Sequence, residues 1–156
     1  MTPDRVASAR VPMNLRTVQR TILLLATLLV TSCASDEERA RAGELDLNGA
    51  DLRDANLAGV NLSGARITQA NLQSVNFSGA NLTGVDFTGS SLIGANLTGA
   101  TMRNDLFVNT VFNDANMTGA DLSGSVFGNH ICNAGTRWPA GFLGWGNSPF
   151  CRREIP

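Results

Sequence analysis

From Leu45 to Ala134 the chain divides into eighteen pentads with no insertion. The middle position of each, termed i, is Leu47, Leu52, Leu57, Leu62, Ile67, Leu72, Phe77, Leu82, Phe87, Leu92, Leu97, Met102, Phe107, Phe112, Met117, Leu122, Phe127 and Cys132, all large and apolar except the closing Cys. Position i−2 is mostly Ala or Val, and position i−1 is Asn or Asp in eleven of the eighteen, so large and small apolar positions flank a polar one. Position i+2 is Gly in ten pentads and Asn or Asp in five more. A helix is excluded: five residues at about 100° each advance about 140° per repeat and bury no stripe. In extended chain, i−2 and i share one face and i−1 and i+1 the other. Because five is odd, a straight strand would flip its apolar face at every repeat. A bend at i+2 removes the conflict, and Gly, Asn and Asp are the residues that tolerate the positive φ of a tight bend. The pattern predicts short straight edges joined by bends, with i and i−2 inside and i−1 and i+1 outside.

Ala50-Asp51-Leu52-Arg53-Asp54, Ala55-Asn56-Leu57-Ala58-Gly59 and Ala80-Asn81-Leu82-Thr83-Gly84 resemble the pentapeptide-repeat family, whose consensus is A(D/N)LXX. The resemblance covers 90 of 156 residues. It implies an all-β fold, a right-handed quadrilateral β-helix (a pentapeptide-repeat solenoid) with four pentads per coil, hence about 4.5 coils over residues 45–134. Stacking every twentieth residue then places Leu47, Ile67, Phe87, Phe107 and Phe127 in one column and Leu52, Leu72, Leu92, Phe112 and Cys132 in the next. The Phe column reads as packed core rather than as a ligand slot.

Departures from the pattern cluster late. Asp105 occupies an inward i−2 position between Val85 and Ser125 in its column. A buried unpaired carboxylate is costly or changes protonation. Asp105 is therefore either hydrogen-bonded in place or displaced by a local bulge, and the bulge is the preferred expectation. Leu106 and Val126 replace the polar residue at i−1 one coil apart, and Val111 and Ile131 do so on the adjacent face. These four predict a contiguous apolar patch, which marks a contact or a covered surface. The lone His130 sits at the terminal i−2 position and marks the end of the regular core.

The N-terminal segment has a separate character. Arg5, Arg10, Arg16 and Arg20 precede the apolar run Ile22–Val30, and no charge occurs from Thr21 to Ser35. That run is short for a membrane span of about 20 residues and suits the core of a secretory signal, about 7–15 residues long. It ends in Val30-Thr31-Ser32-Cys33, which resembles the lipobox of bacterial lipoprotein precursors. The resemblance implies a signal peptide over 1–32, cleavage before Cys33, and lipid attachment to Cys33 through its thiol. Residues 1–12 read as a start extension, since Met13 would open a compact signal. Ala34 rather than Asp after the Cys implies the outer membrane in a diderm host. Residues 33–44 read as the lipidated Cys and a charged tether with room for a helical turn.

The pentads stop before Gly135. Residues 135–156 hold Trp138, Phe142, Trp145 and Phe150, and Thr136-Arg137-Trp138-Pro139-Ala140-Gly141-Phe142 resembles the T-x-WP-x-GF segment that follows the repeats in the family. A solenoid end exposes core and edge, so this tail is expected to cap the last coil and cover the Leu106/Val111/Val126/Ile131 patch. The competing reading is a homodimer through the C-terminal end. With Cys33 lipidated, Cys132 and Cys151 remain as a candidate disulfide in an exported protein.

Charge and composition narrow the function classes. All twelve basic residues are Arg, and the formal net charge is −1, or −4 from Cys33 onward (eight Arg, twelve Asp and Glu). No basic face for nucleic acid is implied. One His, no phosphate-loop or dinucleotide fingerprint and no clustered metal ligands leave no catalytic constellation, and no cofactor or metal is expected. The expectation is a non-catalytic lipoprotein held by its lipid on the extracytoplasmic side, a binding or structural module with a protein or envelope partner. The alternatives are an acidic DNA mimic, like relatives that bind DNA gyrase, and a ligand-binding protein or enzyme with an unrecognised site.

Overall fold

A computed structural model of the chain describes residues 34–142. Ala34 apart, these belong to one compact unit, Ser35–Pro156. Its elements are a helix α1 (Asp36–Arg41) and two three-residue strands, β1 (Leu106–Val108) and β2 (Val126–Gly128), paired in parallel with Leu106 opposite Val126. The remaining repeat residues pair through parallel one-residue bridges between i−1 positions twenty residues apart, such as Asp46 with Arg66, Asp51 with Asn71, Asn56 with Asn76 and Asn61 with Asn81. Four such ladders run side by side, so the chain winds as stacked four-edged coils.

A regular pentad within the stack, with Asn or Asp at i−1, places each of its backbone donors. The i and i+2 N–H groups donate to the next coil, as Leu47 to the Arg66 carbonyl (2.9 Å) and Gly49 to Thr68 (2.8 Å). The i−1 N–H donates to the preceding coil, as Asn71 to Ala50 (2.9 Å), and the next i−2 N–H closes the turn, as Ala55 to Leu52 (3.2 Å). The fifth donor, at i+1, meets the side chain of the Asn or Asp at i−1: Ser78 to Asn76 Oδ1 (3.1 Å), Thr88 to Asp86 Oδ1 (2.9 Å), Ser123 to Asp121 Oδ1 (3.0 Å). This Asx-type bond is a physical reason for Asn or Asp at i−1. Amide ladders add to it, with Asn76 Nδ2 donating to Asn56 Oδ1 and Asn96 Nδ2 to Asn76 Oδ1. The bend falls at i+2 as the pattern predicts: φ is positive at each such position from Gly49 to Asn129, including Gln69 and Ser74, which are neither Gly nor Asn/Asp.

The core is the column structure. Phe87 and Phe107 stack at 5.3 Å and Phe107 and Phe127 at 4.9 Å between ring centroids. Every i residue from Leu47 to Leu122 is buried, as is Cys132. Leu106–Val108 and Val126–Gly128 pair over three residues as β1 and β2, the only three-residue strands among the described residues, whereas Val111 and Ile131, also apolar at i−1, pair by a single bridge.

The two ends are finished differently. Residues 34–44, read from the sequence as a tether, hold α1, which closes the first coil. Ser35 and Glu38 form a capping box at its start, and acidic residues in the first turn and Arg in the last suit the helix dipole. The first coil has no predecessor to accept its i−1 N–H groups. Asp36 Oδ2 accepts from Asp51 N–H (2.8 Å) and Glu37 Oε1 from Asn56 N–H (3.2 Å), while Arg39 and Arg41 donate to the carbonyls of Asp46 and Asn56. Ala40, within the helix, is fully buried. At the other end the winding passes Ala134. Arg137 pairs with Asn116, a step of 21 rather than 20 residues, and the extra residue is absorbed in a turn in which Thr136 N–H donates to the Asn133 carbonyl. Trp138 then packs on Phe112 and Phe127, and a turn from Pro139 brings Phe142 flat against Trp138 (5.1 Å).

Candidate interaction surface

Two adjacent i−1 ladders change character along the stack. One runs Asp46, Arg66, Asp86, Leu106, Val126 and the other Asp51, Asn71, Ser91, Val111, Ile131. The polar end of each gives way to aliphatic side chains in the last two coils. Val126 is 57 % exposed and Ile131 42 %, while Leu106 and Val111 are half-buried beneath them. The four expected patch residues thus lie as two stacked pairs on neighbouring faces. Val108, outward at i+1, widens the first pair, and a Cβ on Gly128 would lie 3.5 Å from it. Reading the i+1 row together with i−1 would have found it. The described tail residues pack on the end of the coil, with Phe142 against Phe127 at 5.6 Å. Among the described residues none covers Val126 and Ile131; the rest of the tail expected to cover them, residues 143–156, lies outside the described residues.

Asp105 corrects the bulge expectation. The ladders run through it unshifted, with Asp86 opposite Leu106 and Leu106 opposite Val126. The residue is 1 % exposed; its Oδ1 accepts the Val85 N–H at 2.9 Å, and its own N–H donates to Ser125 Oγ at 3.0 Å. The turn of the preceding coil offers free hydrogen-bonding geometry to a short polar side chain, so no bulge is needed. Burial pushes the carboxyl up to about 8, against the lowering effect of the Val85 and Gly84 N–H groups.

His130 lies half-buried among the rings of Phe112, Phe127 and Trp138, at 6.3, 5.4 and 6.1 Å. Burial holds its imidazole below the ordinary value. Cys132 is buried and disulfide-bonded; Cys151, its expected partner, lies outside the described residues, as do Cys33, the signal segment and residues 143–156. Among the described residues no helix is long and apolar enough to cross a membrane, and no group of three or more His, Cys, Asp or Glu is placed to hold a metal ion. A groove between Ala120–Gly124 and Pro139–Phe142 contains one carboxylate, Asp121, already paired with Arg103.

The sequence matches the Pentapeptide repeats family in eight copies over residues 38–73, 70–104 and 106–129. It is 33 % identical to a pentapeptide repeat protein of Nostoc PCC 7120 of known structure, over 76 % of this chain and 88 % of that one, with a TM-score of 0.41. The chain belongs to the pentapeptide-repeat family. A thylakoid-lumen pentapeptide repeat protein of Arabidopsis thaliana superposes with a TM-score of 0.54 at 24 % identity, over 57 % of this chain and 63 % of that one, so this chain spans under two thirds of its length. QnrB1, a plasmid-mediated fluoroquinolone resistance protein, is similar at 16 % identity and a TM-score of 0.37, over 56 % and 63 %. A comparison with curated proteins found no significant match. Proteins of the family fold as right-handed quadrilateral β-helices and are in general structural or binding proteins rather than enzymes.

Proposed function

We propose that this protein is a non-catalytic lipoprotein, anchored through Cys33 on the extracytoplasmic side of a bacterial envelope, whose coils present a binding surface to a protein partner. The observation that carries the binding role is the aliphatic strip of Leu106, Val111, Val126 and Ile131, where the rest of the outward i−1 row is Asn, Asp, Ser, Thr or Arg. Open aliphatic side chains stacked in register have no role in the coil's own hydrogen bonding, and contiguous apolar surface marks contact. The lipobox-like Val30-Thr31-Ser32-Cys33 supports the anchor. A Cys132–Cys151 bridge, also proposed, would tie the tail to the last coil and suits an oxidising compartment.

Val126→Asp combined with Ile131→Asp tests the binding role. Both side chains point outward, so the circular dichroism spectrum and melting curve should stay as in the wild type while crosslinked envelope partners disappear. Loss of the β-type spectrum would show the strip to be structural. An unchanged crosslinking pattern with an intact fold would place the contact elsewhere. A second copy of this chain is one outcome, read as a change in mass by light scattering. The gyrase-binding alternative predicts instead a cytosolic chain that co-purifies with gyrase.

A further inference from the structure

Four inward positions carry short polar side chains: Ser90, Asp105, Thr110 and Ser125, all buried. Three share one geometry. Each hydroxyl donates to the carbonyl of the i residue 23 positions earlier: Ser90 Oγ to Ile67 (2.5 Å), Thr110 Oγ1 to Phe87 (3.0 Å) and Ser125 Oγ to Met102 (2.6 Å). The Ser residues accept in return from the turn N–H of the earlier coil, Ala70 to Ser90 Oγ and Asp105 to Ser125 Oγ, both 3.0 Å. Asp105 occupies the same position one coil below Ser125. Its Oδ1 performs the accepting half, from Val85 N–H. Its Oδ2 is buried without a hydrogen-bond partner. The carbonyl 23 residues earlier is that of Leu82, whose one recorded donor is the Val85 turn N–H at 3.1 Å, and a carbonyl has a second lone pair. In the parallel case the Phe87 carbonyl takes both the Ser90 N–H and the Thr110 hydroxyl.

An ionised carboxylate cannot complete this pattern, because it only accepts. No cation offsets its burial. Val85 lies below it and Ser125 above; the charged chain neighbours are Arg103, paired with Asp121 on the surface, and Asp86, whose carboxylate holds the Thr88 N–H. His130 packs among the end rings. We propose that Asp105 is a neutral carboxylic acid in the folded protein, its Oδ2–H donated to the Leu82 carbonyl, so that folding of this coil takes up one proton from solvent.

The sign follows from linkage. The unfolded chain ionises Asp105 near the ordinary carboxylate value, about 3.9, whereas the folded state keeps the proton until about pH 8. The native state therefore holds one more proton across that window, and stability falls as pH rises through it. The measurement is urea unfolding of the full chain in detergent at pH 6.5, 7.0 and 7.5, for wild type and Asp105→Asn. The amide is neutral, accepts through Oδ1 and donates through Nδ2. Relative to the variant, the wild-type unfolding constant should rise by close to tenfold per pH unit, the variant keeping only the shallow opposite dependence that His130 contributes at the acid end of this range. Parallel curves for the two proteins would overturn the proposal. The Asp105 Cγ resonance at pH 6.5 gives a readout independent of the variant's folding: a shift typical of a protonated carboxyl is expected, and a carboxylate shift would overturn it.

Discussion

Phe107 is the residue on which the column architecture can be tested most sharply. It is fully buried, stacked on Phe87 at 5.3 Å and Phe127 at 4.9 Å, with Phe112 edge-on at 5.2 Å. Truncating a buried Phe to Ala costs about 3–5 kcal/mol. Aromatic pairs contribute about 0.5–1.5 kcal/mol each beyond buried area, and three are lost together. Collapse into the cavity is restricted, because the coils above and below are held by backbone ladders through Leu106 and Val108. Phe107→Ala should therefore fall in the upper half of the range, about 4 kcal/mol, or roughly a thousandfold in the unfolding constant. Because a solenoid is stabilised coil by coil, the loss should concentrate around the break. Hydrogen exchange should accelerate at the Val126 N–H, bonded to the Asp105 carbonyl, far more than at the Leu52 N–H, bonded to Asn71. Val126→Ala, on the exposed face, should change stability by under about 0.5 kcal/mol. A Phe107→Ala loss below about 1 kcal/mol, or uniform acceleration along the chain, would refute the packed-column account.

The helix α1 is predicted to act as a structural end cap: Asp36→Ala together with Glu37→Ala frees the Asp51 and Asn56 N–H groups and should cost about 1–3 kcal/mol, seen as faster exchange at those two amides. Ser74→Gly relieves an L-residue at φ 55° and should stabilise by up to about 1 kcal/mol, whereas Gly59→Ala, with φ 68° and open space around its Cβ position, should lose a similar amount; thermal melts of the pair check the bend rule. His130 titrates with the opposite sign to Asp105: its folded imidazole is held down by burial, so stability should fall as pH drops through its ordinary value of about 6.5. His130→Leu should remove that acid-side loss in denaturation curves between pH 7 and pH 5.

The repeat was legible because one physical conflict, an odd period on a strand, has few solutions, and the bend at i+2 appears at each pentad from Gly49 to Asn129. The columns followed once the family resemblance supplied four pentads per coil. Three features were less legible, for separable reasons. The end cap is made by a six-residue helix whose charged sequence also suits a solvated tether; only the unfilled N–H groups of the first coil give its carboxylates a target. The one-residue slip before Arg137 sits in a turn whose residues resemble any loop. Asp105 was expected to push the backbone out, because the sequence shows a carboxylate in a small-residue row but not the turn N–H and hydroxyl it meets there. The apolar strip was found as four residues, and Val108 was missed because only the i−1 row was read.

The central claim is that the coils are carried on a lipid-anchored, extracytoplasmic chain, and fractionation of cells expressing wild type and Cys33→Ala, with mass analysis of the mature N-terminus, tests it most directly. The account predicts a membrane fraction whose chain begins at an acylated Cys33, with processing and membrane retention lost in the variant. An unprocessed chain in the cytosol for both proteins would contradict it.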